Sequence, residues 1–341
     1  MPQRIKELQK LLNTPKNISL IIHRNPDGDA IGAASALYSI FNKIGQQTHL
    51  ISPNEIPKYL QDLPNADKSL IFEQNEEEVT NILQNSDIIF TLDFNDFSRT
   101  GNELEAVLKS LTDKTFVMID HHLEPSNYAT YMFSDHHRSS TSEMVYEFIV
   151  DLGKKKLLDK SIAESLYTGI MTDTGSFKFP NTTSTTMRIV ADLMDLGINH
   201  NKIQIKIYDS FSYNKLHLLG EALNKLVFLP EYKTAYIALT KKTLHKHHYQ
   251  KGDTEGFVNY GLSLKNSNFA VIFLENDNEG VRISFRSKGT FPANEFAKKY
   301  FNGGGHLNAA GGRTNLSIEE AVALFKEKLP EFKNQLHTAN D

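Results

Sequence analysis

The sequence is first informative through what it lacks. It has no cysteine among its 341 residues, so disulfides, thiolate metal sites and cysteine nucleophiles are excluded. The formal net charge of −4 provides no global basic field for long duplex nucleic acid. A few local groups could still hold a short anionic ligand.

Long apolar segments are also missing. No run approaches the roughly 18 apolar residues that a membrane span needs. The amino-terminal stretch MPQRIKELQKLLNTPKN is polar and lacks the apolar core of a signal peptide. We therefore expect a cytoplasmic protein with no membrane partner.

The first half of the chain alternates apolar runs with helical patterns. Hydrophobic residues make up 40% and charged residues 23%, which is typical of a soluble globular protein. Buried strands are predicted at ISLIIH (18–23), DIIFTLD (87–93) and TFVMID (115–120). Helices are predicted at 30–45, 102–111, 140–153, 160–175 and 184–197. This alternation predicts an α/β fold, a parallel sheet with helices on both faces.

The second half has a different pattern. Three β-rich runs, KTAYIALT, NFAVIFLEND and GVRISFRSKG, precede two helical segments, and a turn is predicted at 276–280. This predicts a smaller α+β domain. We expect a catalytic domain at 1–197, a helical linker at 198–230 and the α+β domain at 231–341.

Acids and histidines follow the apolar segments of the first half. Ligands of parallel α/β sheets bind beyond the carboxyl ends of the strands. Each such residue alone has an ordinary explanation, a turn, a helix N-cap or a structural histidine. The candidates are His23, Asp27, Asp29, Asp93, Asp120, His121, His122 and Asp173.

Their recurrence favours a metal centre. Five carboxylates and three imidazoles at one sheet edge would repel and desolvate one another without cations. Carboxylate with imidazole, and no sulfur, suits Mn²⁺, with Mg²⁺ and Co²⁺ as alternatives. Two metals that share a carboxylate are a known device for phosphoryl transfer.

The second half adds a glycine-rich segment, FNGGGHLNAAGG (301–312), which includes Gly304, Gly305 and His306. Consecutive glycines let the backbone approach an anion, and the residues after them could begin an anion-binding helix. ISFRSKG (283–289) adds Arg286 and Ser287, and the arginine could bind a phosphate with two hydrogen bonds. The alternatives are a flexible loop and an exposed arginine on an edge strand.

Together these motifs resemble the DHH family of phosphoesterases with a C-terminal DHH-associated domain. The resemblance spans nearly the whole chain, and the two-domain layout is most similar to the stand-alone NrnA-like subgroup of nanoRNases and pAp phosphatases. The motifs, in order, are HRNPDGDAIG, LDFNDFSRTG, DHH, GIMTDTGSFKF and GGGHLNAAGG.

The resemblance implies a role for each candidate. His23 and Asp27 would hold one Mn²⁺. Asp29, His121 and Asp173 would hold a second one, with Asp93 bridging both.

The remaining first-half residues would act beside the metals. His122 would position water or phosphate, and Asp120 would orient His121. The expected substrate contacts are Arg286, Ser287, Gly304, Gly305, His306 and, on the phosphate, Arg99.

The implied reaction is hydrolysis of short oligoribonucleotides, pApA or 3′-phosphoadenosine 5′-phosphate by metal-activated water. The alternatives within the superfamily are a cyclic-di-AMP phosphodiesterase and an inorganic pyrophosphatase. A non-catalytic nucleotide sensor is the alternative outside enzymes. Family analogy also suggests a homodimer. The HKHH cluster at 245–248 is interpreted as a solvated segment without carboxylate partners.

Overall fold

The structure is a computed structural model that describes residues 2–209, 211–250, 252–276 and 280–339. The chain forms two compact units that divide between residues 210 and 211, within the range predicted as a linker. Within the described ranges, no helix is both long enough and apolar enough for a membrane crossing. Residues 277–279 of the predicted turn at 276–280 lie outside the described residues.

Residues 2–209 contain a parallel sheet of six strands, in the order β3-β2-β1-β4-β5-β6. The strands are β1 (Asn17–Ile22), β2 (Gln47–Ser52), β3 (Ser69–Ile71), β4 (Ile88–Leu92), β5 (Thr115–Asp120) and β6 (Tyr131–Ser134). The helices are α1 (Pro2–Leu11), α2 (Gly28–Lys43), α3 (Glu76–Gln84), α4 (Asn102–Ser110), α5 (Thr141–Asp151), α6 (Lys160–Asp173), α7 (Ser184–Asp195) and α8 (His200–Tyr208).

Apolar side chains cover both faces of this sheet. On β1, Leu20 and Ile22 join a core with α2, α5 and α6. Ile21 joins a separate core with α3 and α4. Because successive side chains of a strand point to opposite faces, a continuous apolar run is buried on both sides. The predicted α/β fold with helices on both faces is confirmed.

Glycines allow α6 to approach both α2 and α5 closely. A Cβ on Gly32 would lie 2.4 Å from the Ser165 carbonyl oxygen, and a Cβ on Gly169 would lie 1.9 Å from Ser142 Oγ. Real Cβ atoms do not approach other atoms this closely, so only glycine fits at these contacts. The close approach brings Asp29, in the first turn of α2, near Asp173, the last residue of α6.

The described residues of the second unit form a mixed sheet in the order β11-β12-β10-β9-β8-β7. Its strands are β7 (Val227–Leu229), β8 (Thr234–Leu239), β9 (Phe269–Glu275), β10 (Val281–Ser287), β11 (Gly304–His306) and β12 (Ala309–Thr314). Its helices are α9 (Tyr213–Asn224), α10 (Lys241–Lys246), α11 (Phe257–Leu262), α12 (Ala293–Tyr300), α13 (Ile318–Lys328) and α14 (Lys333–Thr338). A phenylalanine-rich core packs one face against α12 and α13, and α9 to α11 cover the other face.

The glycine-rich segment is a β-hairpin, so the expectation that its later residues begin a helix was wrong. β11 and β12 pair antiparallel, with Gly305 opposite Ala310. Gly305 has φ +139°, and a Cβ there would lie 2.5 Å from the Ala309 carbonyl oxygen. The glycine therefore allows two strands to approach closely, which a sequence pattern does not distinguish from an open loop.

The predicted helical linker at 198–230 contains two described helices, α8 and α9. Helix α8 ends at Tyr208, and α9 begins after its N-cap Ser212. The segment then continues into β7, which pairs with β8. The predicted boundaries of the linker stay a prediction.

Candidate metal centre

The carboxyl ends of β1, β4 and β5 form the edge of the sheet where the predicted residues meet. Asp27 and Asp29 reach this edge from the start of α2, and Asp173 reaches it from the end of α6. Among the predicted residues at this sheet edge, three groups of ligand atoms lie close enough together to hold a metal ion. They are His23 with Asp27 and Asp93, Asp29 with His121 and Asp173, and Asp93 with Asp120 and His122.

The first cluster is built around His23. Its Nε2 lies 3.8 Å from Asp27 Oδ1 and 3.4 Å from Asp93 Oδ2. On the other side of the ring, Nδ1 donates to the Arg24 carbonyl oxygen at 2.9 Å, because a carbonyl only accepts. This hydrogen bond makes Nε2 the nitrogen available to a cation in the neutral ring.

Asp27 has a second role in this cluster. Its Oδ1 accepts from the backbone N–H groups of Asp29 at 3.0 Å and Ala30 at 3.1 Å. It is therefore the N-cap of α2, and the ordinary explanation of this aspartate holds alongside its place in the cluster. The two roles are compatible because a carboxylate oxygen has more than one lone pair.

The second cluster is built around His121. Its Nε2 lies 3.5 Å from Asp173 Oδ2 and 4.0 Å from Asp29 Oδ2. Its Nδ1 lies 3.4 Å from the Arg138 carbonyl oxygen, the same arrangement as at His23. Both histidines therefore direct Nε2 towards the carboxylates.

Asp93 joins the two clusters. Its Oδ2 faces His23, while its Oδ1 lies 3.6 Å from His121 Nε2. The side chain is buried, and the residue has φ +65°, in the left-handed region. Non-glycine residues rarely adopt this conformation, and they concentrate at functional sites. The carboxylate is thus arranged to serve both clusters.

The charges of this centre are strongly coupled. Burial lowers the pKa of His23, but the nearby carboxylates of Asp27 and Asp93 outweigh burial and raise this pKa to about 10. Burial likewise opposes the charge of His121, yet Asp173 and Asp93 raise its pKa to about 9. Burial, partly offset by His121, raises the pKa of Asp173 to about 7. Bound cations would replace the protons that these raised pKa values favour.

The residues fit divalent cations. The separations of 3.4 to 4.0 Å between Nε2 atoms and carboxylate oxygens exceed ordinary hydrogen-bond lengths. Atoms that bind one cation at about 2.1 Å lie roughly 3 to 4 Å apart. Carboxylate and imidazole without sulfur suit Mn²⁺ and its neighbours. The donor set therefore matches a two-cation centre.

Asp120 does not have the hydrogen-bond partner that we expected. Its Oδ1 accepts from His122 Nδ1 at 2.6 Å, so its hydrogen bond orients His122, whereas we had expected it to orient His121. In an extended chain, residues i and i+2 point to the same side, and residue i+1 points away. The hydrogen bond between Asp120 and His122 follows from this alternation, and their spacing of two residues in the sequence could have predicted it.

The sequence analysis missed two residues of this centre, Thr141 and Ser142, which contact its carboxylates. Asp29 Oδ2 and Oδ1 accept from the backbone N–H groups of Thr141 at 2.6 Å and Ser142 at 2.8 Å. The Thr141 hydroxyl donates to Asp93 Oδ1 at 2.8 Å. The only signal in the sequence was the hydroxyl-rich run before α5, which indicates a helix start but not its contacts.

Arg99 lies in a 3₁₀ turn, Phe97–Thr100, that follows β4. Its carbonyl oxygen accepts from the Arg24 N–H at 2.8 Å, which places it beside the segment after β1. Its side chain is half-buried. Its contact with a phosphate stays a prediction.

In the second unit, Arg286 lies on β10, between β9 and β12, so the alternative of an edge-strand arginine was wrong. Burial lowers the pKa of its guanidinium, and Glu255 opposes the shift. Ser287 is buried, its hydroxyl donates to the Phe291 carbonyl at 2.7 Å, and it accepts from Asn308 at 2.9 Å. This hydroxyl fixes the chain beside the hairpin, and the contact of Ser287 with a substrate stays a prediction.

His306 ends β11, and Gly304 is exposed at its start. Their substrate contacts, with that of Gly305, stay predictions. The HKHH cluster does have a carboxylate nearby, contrary to expectation, because Glu221 Oε2 lies 3.7 Å from Lys246 Nζ and 4.0 Å from His247 Nε2.

Comparison with known proteins places these features in a family. A model of the DHH family N-terminal domain matches residues 17–170, and a DHHA1 domain model matches residues 232–335. A relative from Thermus thermophilus, named bifunctional oligoribonuclease and PAP phosphatase NrnA, is 28% identical over 96% of this chain and 93% of its own length. The Bacillus subtilis protein of the same name is 28% identical over 86% and 88%. The crystal structure of an exopolyphosphatase-related protein from Bacteroides fragilis has a TM-score of 0.95 and 35% identity, and the match covers 99% of this chain and 98% of that one.

Proposed function

Because the chain belongs to the DHH family of phosphoesterases, we propose that it hydrolyses phosphate esters of short nucleotides with two divalent cations. The observation that carries this proposal is the position of Asp93. One carboxylate oxygen faces His23 and the other faces His121, so a single side chain serves both clusters. A carboxylate shared by two cations would hold them close together, as two-metal phosphoryl chemistry needs.

Each cluster would hold one cation. His23 and Asp27 would bind the first, and Asp29, His121 and Asp173 the second, with Asp93 on both. Mn²⁺ suits this donor set best, with Mg²⁺ or Co²⁺ as substitutes. When bound, the cations supply activation of water and neutralisation of charge on the phosphate.

His122 would act beside the cations. The hydrogen bond from its Nδ1 to Asp120 sets the orientation of the ring. An imidazole held in this way presents Nε2 in a fixed direction, towards a water molecule or a phosphate oxygen. We therefore assign His122 to positioning the reacting groups and Asp120 to positioning His122.

The names of the relatives guide the choice of substrate. Two of them are called oligoribonuclease and PAP phosphatase, and both activities cleave a phosphate ester next to a nucleoside. We propose short RNA, pApA and 3′-phosphoadenosine 5′-phosphate as substrates. In the second unit, Arg286, Gly304, Gly305 and His306 would contact the nucleotide, and a guanidinium suits phosphate.

A substrate panel tests this function. The purified protein would be assayed with Mn²⁺ on pApA, 3′-phosphoadenosine 5′-phosphate, RNA chains of graded length, cyclic-di-AMP, pyrophosphate and inorganic polyphosphate. We expect hydrolysis of the first two and of the shortest RNA chains, and loss of that activity after chelation. Polyphosphate is included because of the name of the Bacteroides fragilis protein.

Asp93→Asn is the test variant for the panel, and Asp96→Asn is its matched control. Asp93→Asn removes a charge from both clusters while preserving the shape of the side chain, so we expect loss of metal-dependent hydrolysis in a folded protein. Asp96→Asn removes the carboxylate that caps the following 3₁₀ turn and should remain active. Nucleotide binding without hydrolysis of any substrate would favour the sensor alternative, and full activity of Asp93→Asn would exclude the two-cation centre.

A further inference from the structure

We infer that Thr141 is a positioning residue for the two-cation centre, a role that rests on the proposed function. Its hydroxyl sets the rotation of the Asp93 carboxylate, so that one oxygen faces each cluster. The terminal torsion of an aspartate side chain has broad, weakly defined minima. A carboxylate that must serve two cations therefore needs a partner outside the clusters to fix its plane.

The hydrogen bond between the two side chains has a defined direction. The Thr141 hydroxyl donates to Asp93 Oδ1 at 2.8 Å, since the carboxylate oxygen is the acceptor. Thr141 is fully buried, and the bond is shielded from water.

The backbone of the same turn positions a ligand of the second cluster. The N–H groups of Thr141 and Ser142 donate to the two oxygens of Asp29. These are the first two residues of α5, where N–H groups lack helical acceptors and the helix dipole favours a negative charge. One helix start therefore fixes the shared carboxylate and a carboxylate of one cluster relative to each other.

This helix start is itself firmly anchored. The side chain of Ser140 caps α5 by accepting from the Glu143 N–H at 3.0 Å. The buried carboxylate of Glu143 accepts from the Ser139 hydroxyl and, at 2.8 Å, from the Thr186 hydroxyl in the first turn of α7. The helix start is thus linked to a second helix, and this linkage keeps Thr141 in place independently of any cation.

The test compares three variants of the full chain by Mn²⁺ titration without substrate, read by calorimetry. Thr141→Val replaces the hydroxyl with a methyl group of similar shape, and Thr141→Ser retains the hydroxyl. Thr168→Val is the matched control, because it also removes a buried hydroxyl, one that donates only within α6 to the Glu164 carbonyl at 2.7 Å. Thermal unfolding in chelator verifies that each variant is folded.

We expect Thr141→Val to weaken Mn²⁺ binding by about 10- to 100-fold, as loss of a residue that orients a metal ligand usually does. Thr141→Ser and Thr168→Val should bind Mn²⁺ within a few-fold of the wild type. Wild-type affinity in a folded Thr141→Val would overturn the inference. Equal losses in the Val and Ser variants would also overturn it, because side-chain shape rather than the hydroxyl would then be responsible.

The titration separates this inference from the proposed function. If the wild type binds two Mn²⁺ ions but hydrolyses none of the substrates, the proposed function fails while the role of Thr141 is still measured. If the wild type is an active two-cation hydrolase and Thr141→Val binds Mn²⁺ normally, only the role of Thr141 fails.

Discussion

His122 and Asp120 are joined by a hydrogen bond of 2.6 Å between Nδ1 and Oδ1, and the carboxylate that receives it is fully buried. The strand β5 delivers Asp120 to the sheet edge, and the chain then turns His121 towards one metal cluster and His122 back towards the aspartate. The three consecutive residues therefore have different functions in the proposed site.

Asp120→Asn should lower the turnover number by about 10- to 100-fold, because the His122 ring loses its charged partner. Mn²⁺ affinity should change little, since the hydrogen bond of Asp120 goes to His122. The measurement is steady-state hydrolysis of pApA at saturating Mn²⁺, together with a Mn²⁺ titration. In the double variant with His122→Ala, the loss should be little greater than for His122→Ala alone. Additive losses would contradict the prediction that Asp120 acts through His122.

Mn²⁺ affinity should rise with pH. The pKa of His23 is raised to about 10 and that of His121 to about 9, so both rings hold a proton at neutral pH. A cation needs the Nε2 lone pair, so binding must displace these protons. Affinity should therefore fall as the pH falls, about tenfold per pH unit for each displaced proton. Calorimetry in buffers of different ionisation enthalpy counts the protons, and binding without proton release would contradict the assignment.

Gly169→Ala should destabilise the first unit by about 1 to 3 kcal/mol, the usual cost of overpacking. The new Cβ would lie 1.9 Å from Ser142 Oγ and 2.9 Å from Asp29 Oδ1. The added methyl group would therefore disturb the proposed metal ligand Asp29 as well as the contact between α5 and α6. The matched control is Gly220→Ala in α9, where no described atom lies within 4 Å of the added Cβ and alanine favours the helix. Urea unfolding and a Mn²⁺ titration would measure both effects, and a stability equal to wild type would contradict the close approach.

Three of the six parallel strands of the first unit, β1, β4 and β5, were predicted because each is an apolar run that leads into acidic or histidine side chains. The run TFVMID matches the bounds of β5 as observed. The strands β2, β3 and β6 were not predicted, because β2 has only two apolar residues and the short strands β3 and β6 at the sheet edges carry little apolar signal. The acids and histidines that follow the predicted strands thus indicated which side chains meet. The edge strands can be identified only from their hydrogen-bonded pairing in the structure.

The orientation of side chains within the site was less predictable. Sequence order suggested that Asp120 supports its neighbour His121, whereas the alternation of an extended chain turns it towards His122. Thr141 belongs to the hydroxyl-rich run SSTS, 139–142, before and within the start of α5. A pattern identifies that run as a helix start, but only the packing of α5 against α2 determines which carboxylates it reaches.

Gly304→Ala tests the predicted substrate contact of the β11–β12 hairpin. No described atom lies within 4 Å of a Cβ placed there, and the φ of Gly304 is outside the left-handed region, so the protein should remain as stable as wild type within about 0.5 kcal/mol. If nucleotide approaches this bare backbone, the methyl group should raise KM for pApA and leave kcat unchanged.

Gly305→Ala is the contrasting variant. Its φ of +139° and a Cβ only 2.5 Å from the Ala309 carbonyl oxygen should disrupt the hairpin and lower stability. Steady-state kinetics and thermal unfolding of both variants distinguish a ligand contact from a structural requirement. A wild-type KM in Gly304→Ala would mean that this glycine does not contact the substrate. The open space beside the Gly304 backbone would then need another explanation.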